Sequence, residues 1–259
     1  MDPDGEARDG GGGDADADVE ADFDPPPIPD RDEDGIEDGW DVRPDEPDEP
    51  VAGDDFEGDL EGWTPGGGGD WSDSGGALAQ NRECASFAGL ATFEKTAIGE
   101  QDVYVEARVR LSAPGECGSD GAGVVARKAG GDFVACLFTP GEQSTDRVGN
   151  GESCGTLQLF VFEGDSLETA VPDRLADHTG CFDEFAVSYE EWSDRFATVR
   201  LSALANRLTC GARIAYRTEI DKVWDPAVEG IDPSPLSGAA GVATWGTSAV
   251  FDDFLAVSQ

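Results

Sequence analysis

An alternation of apolar and polar residues with a period of two constrains the fold more than any other feature of the sequence. In QDVYVEARVRLSA (101–113), Val103, Val105 and Val109 are separated by polar or charged residues. Successive side chains of a strand point to opposite faces, so this pattern predicts strands with one face in a core. Similar runs recur at intervals of about 10 residues without a sustained helical period, which predicts an all-β antiparallel sandwich.

Short turn-like segments mark where the chain should reverse. Three of them each separate two strand-like runs: AGGD (129–132), EGDS (163–166) and Ala-Asn-Arg (205–207). The segment AAGVATWGTSAVFDDFLAVS (239–258) is expected to close the chain with a final pair of strands.

Residues 1–53 differ from the rest in composition. They contain 21 acidic residues against three arginines and almost no aliphatic residues. Such a segment buries too little apolar surface to offset the entropy of ordering it, so it predicts a disordered, self-repelling acidic stalk before a folded domain at 54–259. The whole chain carries a net charge of −39, which argues against nucleic acid or an anionic membrane as a partner.

Six cysteines, at positions 84, 117, 136, 154, 181 and 210, lie in the predicted domain. An even number without C-x-x-C spacing predicts three disulfides and an oxidising compartment. Fifteen pairings are possible, and pairing of sequence neighbours (84–117, 136–154 and 181–210) is preferred because hairpins bring neighbours together. The start MDPDGEARDG lacks the apolar core of a signal peptide. Because the cysteines nevertheless predict an oxidising compartment, we expect an extracellular or cell-surface protein whose secretion segment was removed. We expect no membrane-inserted part in the folded domain.

One part of the acidic segment has the spacing of a calcium loop. Within DRDEDGIEDGWD, oxygen donors fall at positions 1, 3, 5, 7, 9 and 12, with Gly35 at position 6. Prolines on both sides exclude the flanking helices of an EF-hand. The string resembles a thrombospondin type 3 repeat, a helix-free unit that binds Ca²⁺, although chance in an Asp-rich segment is the alternative. The resemblance implies these ligands: Asp30, Asp32, Asp34, the Ile36 carbonyl, Asp38 and Asp41.

The segment from 54 onward resembles a known family of sandwiches. It opens with Asp-Asp-Phe and a tryptophan (54–63), and it ends with GVAT (241–244) followed by FDD (251–253). These short motifs are similar to those of concanavalin A-like, laminin-G-like jelly rolls in bacterial secreted proteins, and the acidic start resembles the tether of surface lipoproteins. The resemblance implies a jelly-roll β-sandwich, a glycan or cell-surface ligand and a non-catalytic binding role.

Acidic residues near both ends of this domain allow two interpretations. Glu57, Asp59 and Glu61 have the E-x-D-x-E spacing of some glycoside hydrolases, but neighbouring glycines break any strand that would align them. First and last strands of such jelly rolls pair, which predicts a structural calcium between Asp55 and Asp252 or Asp253. Solvated acids without a cation are the alternative.

Aromatic side chains are the candidate sugar contacts, because their rings can stack on the C–H faces of sugars. Most tryptophans of a sandwich belong to the core instead. A glycoside hydrolase or lyase on the same fold, or a purely structural or adhesive surface protein, remain the alternatives to glycan binding. The candidate ligand-binding residues are Trp71, Trp192, Tyr216, Trp224 and Trp245.

Overall fold

The computed structural model is all-β in the residues it describes, as the sequence predicts. Sixteen strands form two antiparallel sheets, and no helix occurs in the described ranges. No helix there is long and apolar enough to cross a membrane. The described residues are 29–34, 36–41, 43–48, 50–58, 60–82, 90–98, 102–113, 121–139, 155–162, 179–182, 196–215, 223–224, 227–232 and 237–259.

The strands are numbered in chain order. The first eight are β1 (Pro50–Asp54), β2 (Trp63–Gly66), β3 (Trp71–Asp73), β4 (Leu78–Gln80), β5 (Leu90–Ile98), β6 (Val103–Ala113), β7 (Gly121–Ala129) and β8 (Asp132–Thr139). The other eight are β9 (Gly155–Phe162), β10 (Thr179–Phe182), β11 (Ala197–Leu204), β12 (Arg207–Ala215), β13 (Val223–Trp224), β14 (Ala227–Ile231), β15 (Gly238–Trp245) and β16 (Ser248–Ser258).

The two sheets have unequal size. The nine-stranded sheet runs β13-β12-β11-β6-β16-β4-β3, with β14 also paired to β12 and β1 also paired to β16. The seven-stranded sheet runs β10-β9-β8-β7-β15-β5-β2. Their facing sides form the main core, and the predicted alternation is confirmed on β6, where Val103, Val105 and Val109 enter that core.

The predicted turns have different outcomes. Gly130 and Gly131 join β7 to β8, and Ala205 and Asn206 join β11 to β12, each within one sheet. The segment 163–166 lies outside the described residues. The final two strands do not pair with each other: β15 belongs to the seven-stranded sheet and β16 to the nine-stranded sheet. The turn between them, with Gly246 at φ 69°, therefore crosses from one sheet to the other.

The preferred neighbour pairing of the cysteines is wrong for Cys136 and Cys210. These two residues form a disulfide across a sequence separation of 74. Cys136 lies on β8 and Cys210 on β12, so the bond joins the two sheets through the core. Sequence proximity favours bonds within hairpins, whereas stacking of the sheets brings these two strands together.

Part of the predicted stalk is packed against the sandwich. The first strand begins at Pro50, and the described part of residues 29–48 (29–34, 36–41 and 43–48, called segment 29–48) contacts the outer face of the nine-stranded sheet. Ile36 is 1% exposed and contacts Tyr104 and Val257 there. Average composition missed this contact because a few apolar residues anchor an otherwise acidic segment.

Candidate functional site

Segment 29–48 contacts the sheet through an ion-pair network. The outer side chains of β11 and β12 include Arg200 and Arg213, and both guanidinium groups pair with the Glu37 carboxylate. The Arg200 Nη1 to Glu37 Oε2 distance is 2.6 Å. The Arg200 guanidinium also lies 4.3 Å from the centroid of the Trp40 ring, a cation–π contact. Arg200 is 1% exposed, so Glu37 and Trp40 compensate for the burial of its charge.

A second polar pair lies beside this network on β6. The Tyr104 hydroxyl donates a 2.6 Å hydrogen bond to Glu106 Oε2. Burial raises the pKa of Glu106, and the Tyr104 hydrogen bond and the Arg200 charge oppose that rise only in part. Burial and the Glu106 charge also raise the pKa of the Tyr104 hydroxyl well above its ordinary value. Tyr104 is therefore a neutral donor beneath the segment and is not available for sugar stacking.

The same segment also brings three carboxylates close together. Asp30, Asp32 and Asp34 each place one carboxylate oxygen within 4.8 Å of the others. Within the described residues this is the one such group of three or more. Asp34 is held in place because its Oδ1 accepts a 2.8 Å hydrogen bond from Ile36 N and its Oδ2 accepts one of 2.8 Å from Asp48 N.

The environment of these carboxylates fits a bound cation. Both Asp32 oxygens and the Asp48 Oδ2 are buried without a hydrogen-bond partner. Desolvation raises the pKa of Asp32, and the adjacent Asp34 charge raises it further. Burial likewise raises the pKa of Asp41 and of Asp48, with contributions from the Asp34 charge. Clustered, desolvated carboxylates of this kind suit Ca²⁺, which prefers six to eight oxygen ligands.

The remaining predicted loop ligands have other contacts. Asp38 accepts hydrogen bonds from Arg31 N at 2.9 Å and from Arg31 Nε at 2.8 Å. Asp41 accepts a 2.6 Å hydrogen bond from Arg43 N, and it is close enough to Asp48 for their charges to interact. The Ile36 side chain contacts the sheet, and ligation by the Ile36 carbonyl stays a prediction. The structure thus gathers the first three predicted ligands and engages Asp38 elsewhere.

The acids at the strand ends have basic protein partners. Strands β1 and β16 pair as predicted, with Asp54 opposite Phe254. Asp54 contacts the Lys95 amine and accepts a 2.8 Å hydrogen bond from Trp63 Nε1.

Arg108 is the basic partner of the two acids on β16. Its Nη1 lies 3.0 Å from Asp252 Oδ2 and 2.8 Å from Asp253 Oδ2. Asp55 accepts a 3.1 Å hydrogen bond from Glu57 N. Arg108 supplies positive charge to Asp252 and Asp253, and the calcium predicted between Asp55 and these acids stays a prediction.

The aromatic candidates do not share one surface. Trp71 packs partly buried against Phe251, with ring centroids 5.9 Å apart, at the rim of the main core. Trp192 and Tyr216 lie outside the described residues, as does the side chain of Trp224, whose backbone pairs with Ile214. Trp245 lies on the outer face of the seven-stranded sheet, with its ring centroid 4.9 Å from that of Phe160.

That outer face carries an aromatic band that sequence reasoning did not identify. Phe160 and Phe162 lie 5.7 Å apart, and Phe162 stacks on Phe133 at 4.2 Å. The two middle rings are buried, whereas Phe133 and Trp245 at the ends are half-buried. Lys128 Nζ lies 5.3 Å from the Phe133 centroid. The alternation of β8 and β9 places these rings outward, but only strand order makes them neighbours.

The E-x-D-x-E residues do not have the geometry of a hydrolase. Residues 55–58 and 60–62 form bends and turns between β1 and β2, and Glu57 and Glu61 are exposed. Asp59 lies outside the described residues. Because the motif is not in a strand, nothing aligns its carboxylates on one face.

The fold is similar to that of lectin-like sandwiches. The sequence matches no protein-family model, and no curated protein matches it significantly. A Bacillus subtilis protein of unknown function with a galectin-like fold superposes with a TM-score of 0.52 at 13% identity, over 81% of this chain and 96% of that chain. The Ca²⁺-bound exoplasmic/lumenal domain of VIP36 superposes with a TM-score of 0.51 at 13% identity, over 80% of this chain and 88% of that chain. Its Ca²⁺/Man-bound form superposes with a TM-score of 0.50 at 13% identity, over 76% of this chain and 83% of that chain. At such identities the similarity establishes a lectin-like β-sandwich fold.

Proposed function

We propose that this protein is a secreted or surface-tethered, non-catalytic module that binds glycan through partly exposed aromatic rings beside its seven-stranded sheet. The observation that carries the proposal is the aromatic band, which ends in the half-buried rings of Phe133 and Trp245. Half-buried rings present an apolar face at low conformational cost, and sugar C–H faces complement such rings.

Polar groups beside one end of the band support this role. Lys128 Nζ lies over the Phe133 ring, and it also lies 3.7 Å from Glu94 Oε1. A ring flanked by a donor and an acceptor can contact both the apolar face and the hydroxyls of one sugar. We therefore place the sugar contact at the Phe133 end, with Trp245 as a second contact.

The fold and the disulfide support the proposed class and location. One similar VIP36 structure is a Ca²⁺/Man-bound form, and another is a Ca²⁺-bound form. The Cys136–Cys210 bond favours an oxidising, extracytoplasmic compartment. A hydrolase is disfavoured because Glu57 and Glu61 lie in a loop. The proposal also includes a structural Ca²⁺ held by the carboxylates of segment 29–48, with no role in a reaction.

A glycan array probed with the full chain tests the proposal. We expect F133A and W245A each to lose at least tenfold in binding to the glycans that the wild type selects. W71A is the control, because Trp71 is also half-buried but packs at the rim of the nine-stranded sheet. Circular dichroism should show that all three variants keep their β-structure. Absence of glycan binding by the wild type, or equal loss in all three variants, would refute the proposed site.

A further inference from the structure

Asp48 lies outside the predicted 12-residue loop, and its backbone N–H contacts a carboxylate of that loop. Its side chain is fully buried. Its backbone N–H donates to Asp34 Oδ2, and its Oδ1 pairs with Arg43, while its Oδ2 has no hydrogen-bond partner. A fully buried carboxylate oxygen without a partner is costly, because burial removes its water without replacement.

The Arg43 charge offsets part of that cost, whereas the neighbouring acids add to it. Asp32, Asp34 and Asp41 each interact electrostatically with Asp48 or with one another. Arg43 reaches Asp48, whereas Arg31 is engaged by Asp38 and Asp45. A divalent cation among these oxygens would replace their repulsion with attraction and would supply the partner that Asp48 Oδ2 and the Asp32 oxygens lack.

We propose that Asp48 is an additional ligand of a Ca²⁺ site formed with Asp30, Asp32 and Asp34, and that this site latches segment 29–48 onto the nine-stranded sheet. The inference rests on the calcium part of the proposed function and is independent of glycan binding. It adds a ligand from beyond the sequence motif, and it assigns the site a mechanical role.

The connection from the cation to the sheet runs through Asp34. Asp34 accepts hydrogen bonds from Ile36 N and from Asp48 N, so it ties the loop to the residues that precede β1. Ile36 is buried against Tyr104 and Val257, and the next residue, Glu37, pairs with Arg200. Fixing Asp34 therefore fixes the residues that contact the sheet. Without the cation, repulsion among the acids opposes the packed conformation of the segment.

Isothermal titration of the full chain with Ca²⁺ tests the additional ligand. We expect D48N to weaken Ca²⁺ affinity at least tenfold, because an amide keeps the shape and loses the charge. D45N is the matched control: it removes the same charge from the same segment, but the Asp45 side chain is 77% exposed and pairs with Arg31. We expect it to change the affinity less than threefold. Equal affinities of D48N and D45N would overturn the assignment of Asp48, whereas no Ca²⁺ binding by the wild type would refute the calcium site itself.

Limited trypsin digestion of the wild type and D48N tests the latch. Arg31 is about half-exposed within the segment, and cleavage after it requires the segment to open locally. We expect cleavage after Arg31, followed by mass spectrometry, to be at least tenfold slower in Ca²⁺ than in EGTA for the wild type, and this difference to shrink in D48N. Equal cleavage rates in Ca²⁺ and EGTA for a wild type that binds Ca²⁺ would overturn the latch.

Discussion

Glu37 and Arg200 form a 2.6 Å ion pair across a sequence separation of 163 residues. Arg200 is almost completely buried on the outer face of the nine-stranded sheet, and Glu37 comes from the acidic N-terminal segment. The pair is part of a network that also includes Arg213 and the Trp40 ring. The acidic segment thus covers part of the outer face of this sheet through Ile36, Glu37 and Trp40.

Replacing Glu37 with Gln should loosen this cover. The variant removes the Glu37 charge that pairs with the buried Arg200 guanidinium, so we expect a loss of about 2–3 kcal/mol in the stability of the covered state. Hydrogen exchange of segment 29–48 and urea unfolding would measure it. E46Q is the control, since Glu46 is exposed, and it should change stability by less than about 0.5 kcal/mol. Equal exchange rates in E37Q and E46Q would contradict a role for the ion pair.

Asp54 should make the stability depend on pH in the acidic range. Burial raises the pKa of Asp54, but hydrogen bonds from Lys95, Trp63 Nε1 and Phe56 N outweigh burial and place it below the ordinary value of 3.8. A lowered folded-state pKa means that the contribution is complete above the unfolded-state pKa and is lost as the pH falls through the folded-state pKa. We expect D54N to cost about 1–3 kcal/mol at pH 7.

Urea unfolding of the wild type and D54N between pH 7 and pH 2 would measure this contribution. The difference between the two proteins should be constant from pH 7 to about pH 5 and should shrink at lower pH. D73N is the control, because Asp73 is exposed and accepts a hydrogen bond from Gly75 N. A difference that grew on acidification would contradict the lowered pKa.

The disulfide between Cys136 and Cys210 should contribute strongly to stability. It closes a loop of 74 residues and joins the two sheets, so the double variant C136A/C210A should lose about 4 kcal/mol in the chain-entropy estimate. Thermal and urea unfolding would measure the loss. Peptide mapping without reduction should yield one fragment pair that contains both cysteines, and a Cys136–Cys154 fragment would contradict the pairing.

Arg108 should stabilise the strand ends in a salt-dependent way. It pairs with Asp252 and Asp253 and also lies 4.8 Å from the Phe196 ring centroid. We expect R108Q to lower the free energy of unfolding by about 1 kcal/mol at low ionic strength, because the ion pairs are partly exposed. The loss should be smaller in 0.5 M NaCl, because the Debye length there falls to on the order of 5 Å. Urea unfolding at both salt concentrations would measure this.

Arg110 offers a matched control for that variant. It lies 5.2 Å from the same Phe196 ring, and none of its described contacts is an ion pair with Asp252 or Asp253. The R110Q variant should therefore reproduce the loss of ring contact without the loss of the ion pairs. A salt dependence of equal size in R108Q and R110Q would show that Arg108 does not neutralise the acids.

Period-two alternation determined the all-β class, because it depends on the geometry of each strand alone. A strand sends successive side chains to opposite faces wherever it lies, so Val103, Val105 and Val109 could be assigned to a core from the sequence. The same local logic predicted the turn at Gly130 and the clustering of Asp30, Asp32 and Asp34, whose spacing within one short loop limits how far apart they can lie.

Strand order and sheet stacking decided what spacing could not. Cys136 meets Cys210 because β8 and β12 face each other across the core, and β15 and β16 separate because the intervening turn changes sheets. Phe133 and Trp245 lie at the two ends of one aromatic band only because three strands, β8, β9 and β15, bring their rings together. Asp48 joins the acidic cluster for a related reason: the segment folds back before β1, and no fixed spacing encodes that return. Local geometry is thus readable along the chain, whereas the identity of a distant partner depends on how the whole chain closes.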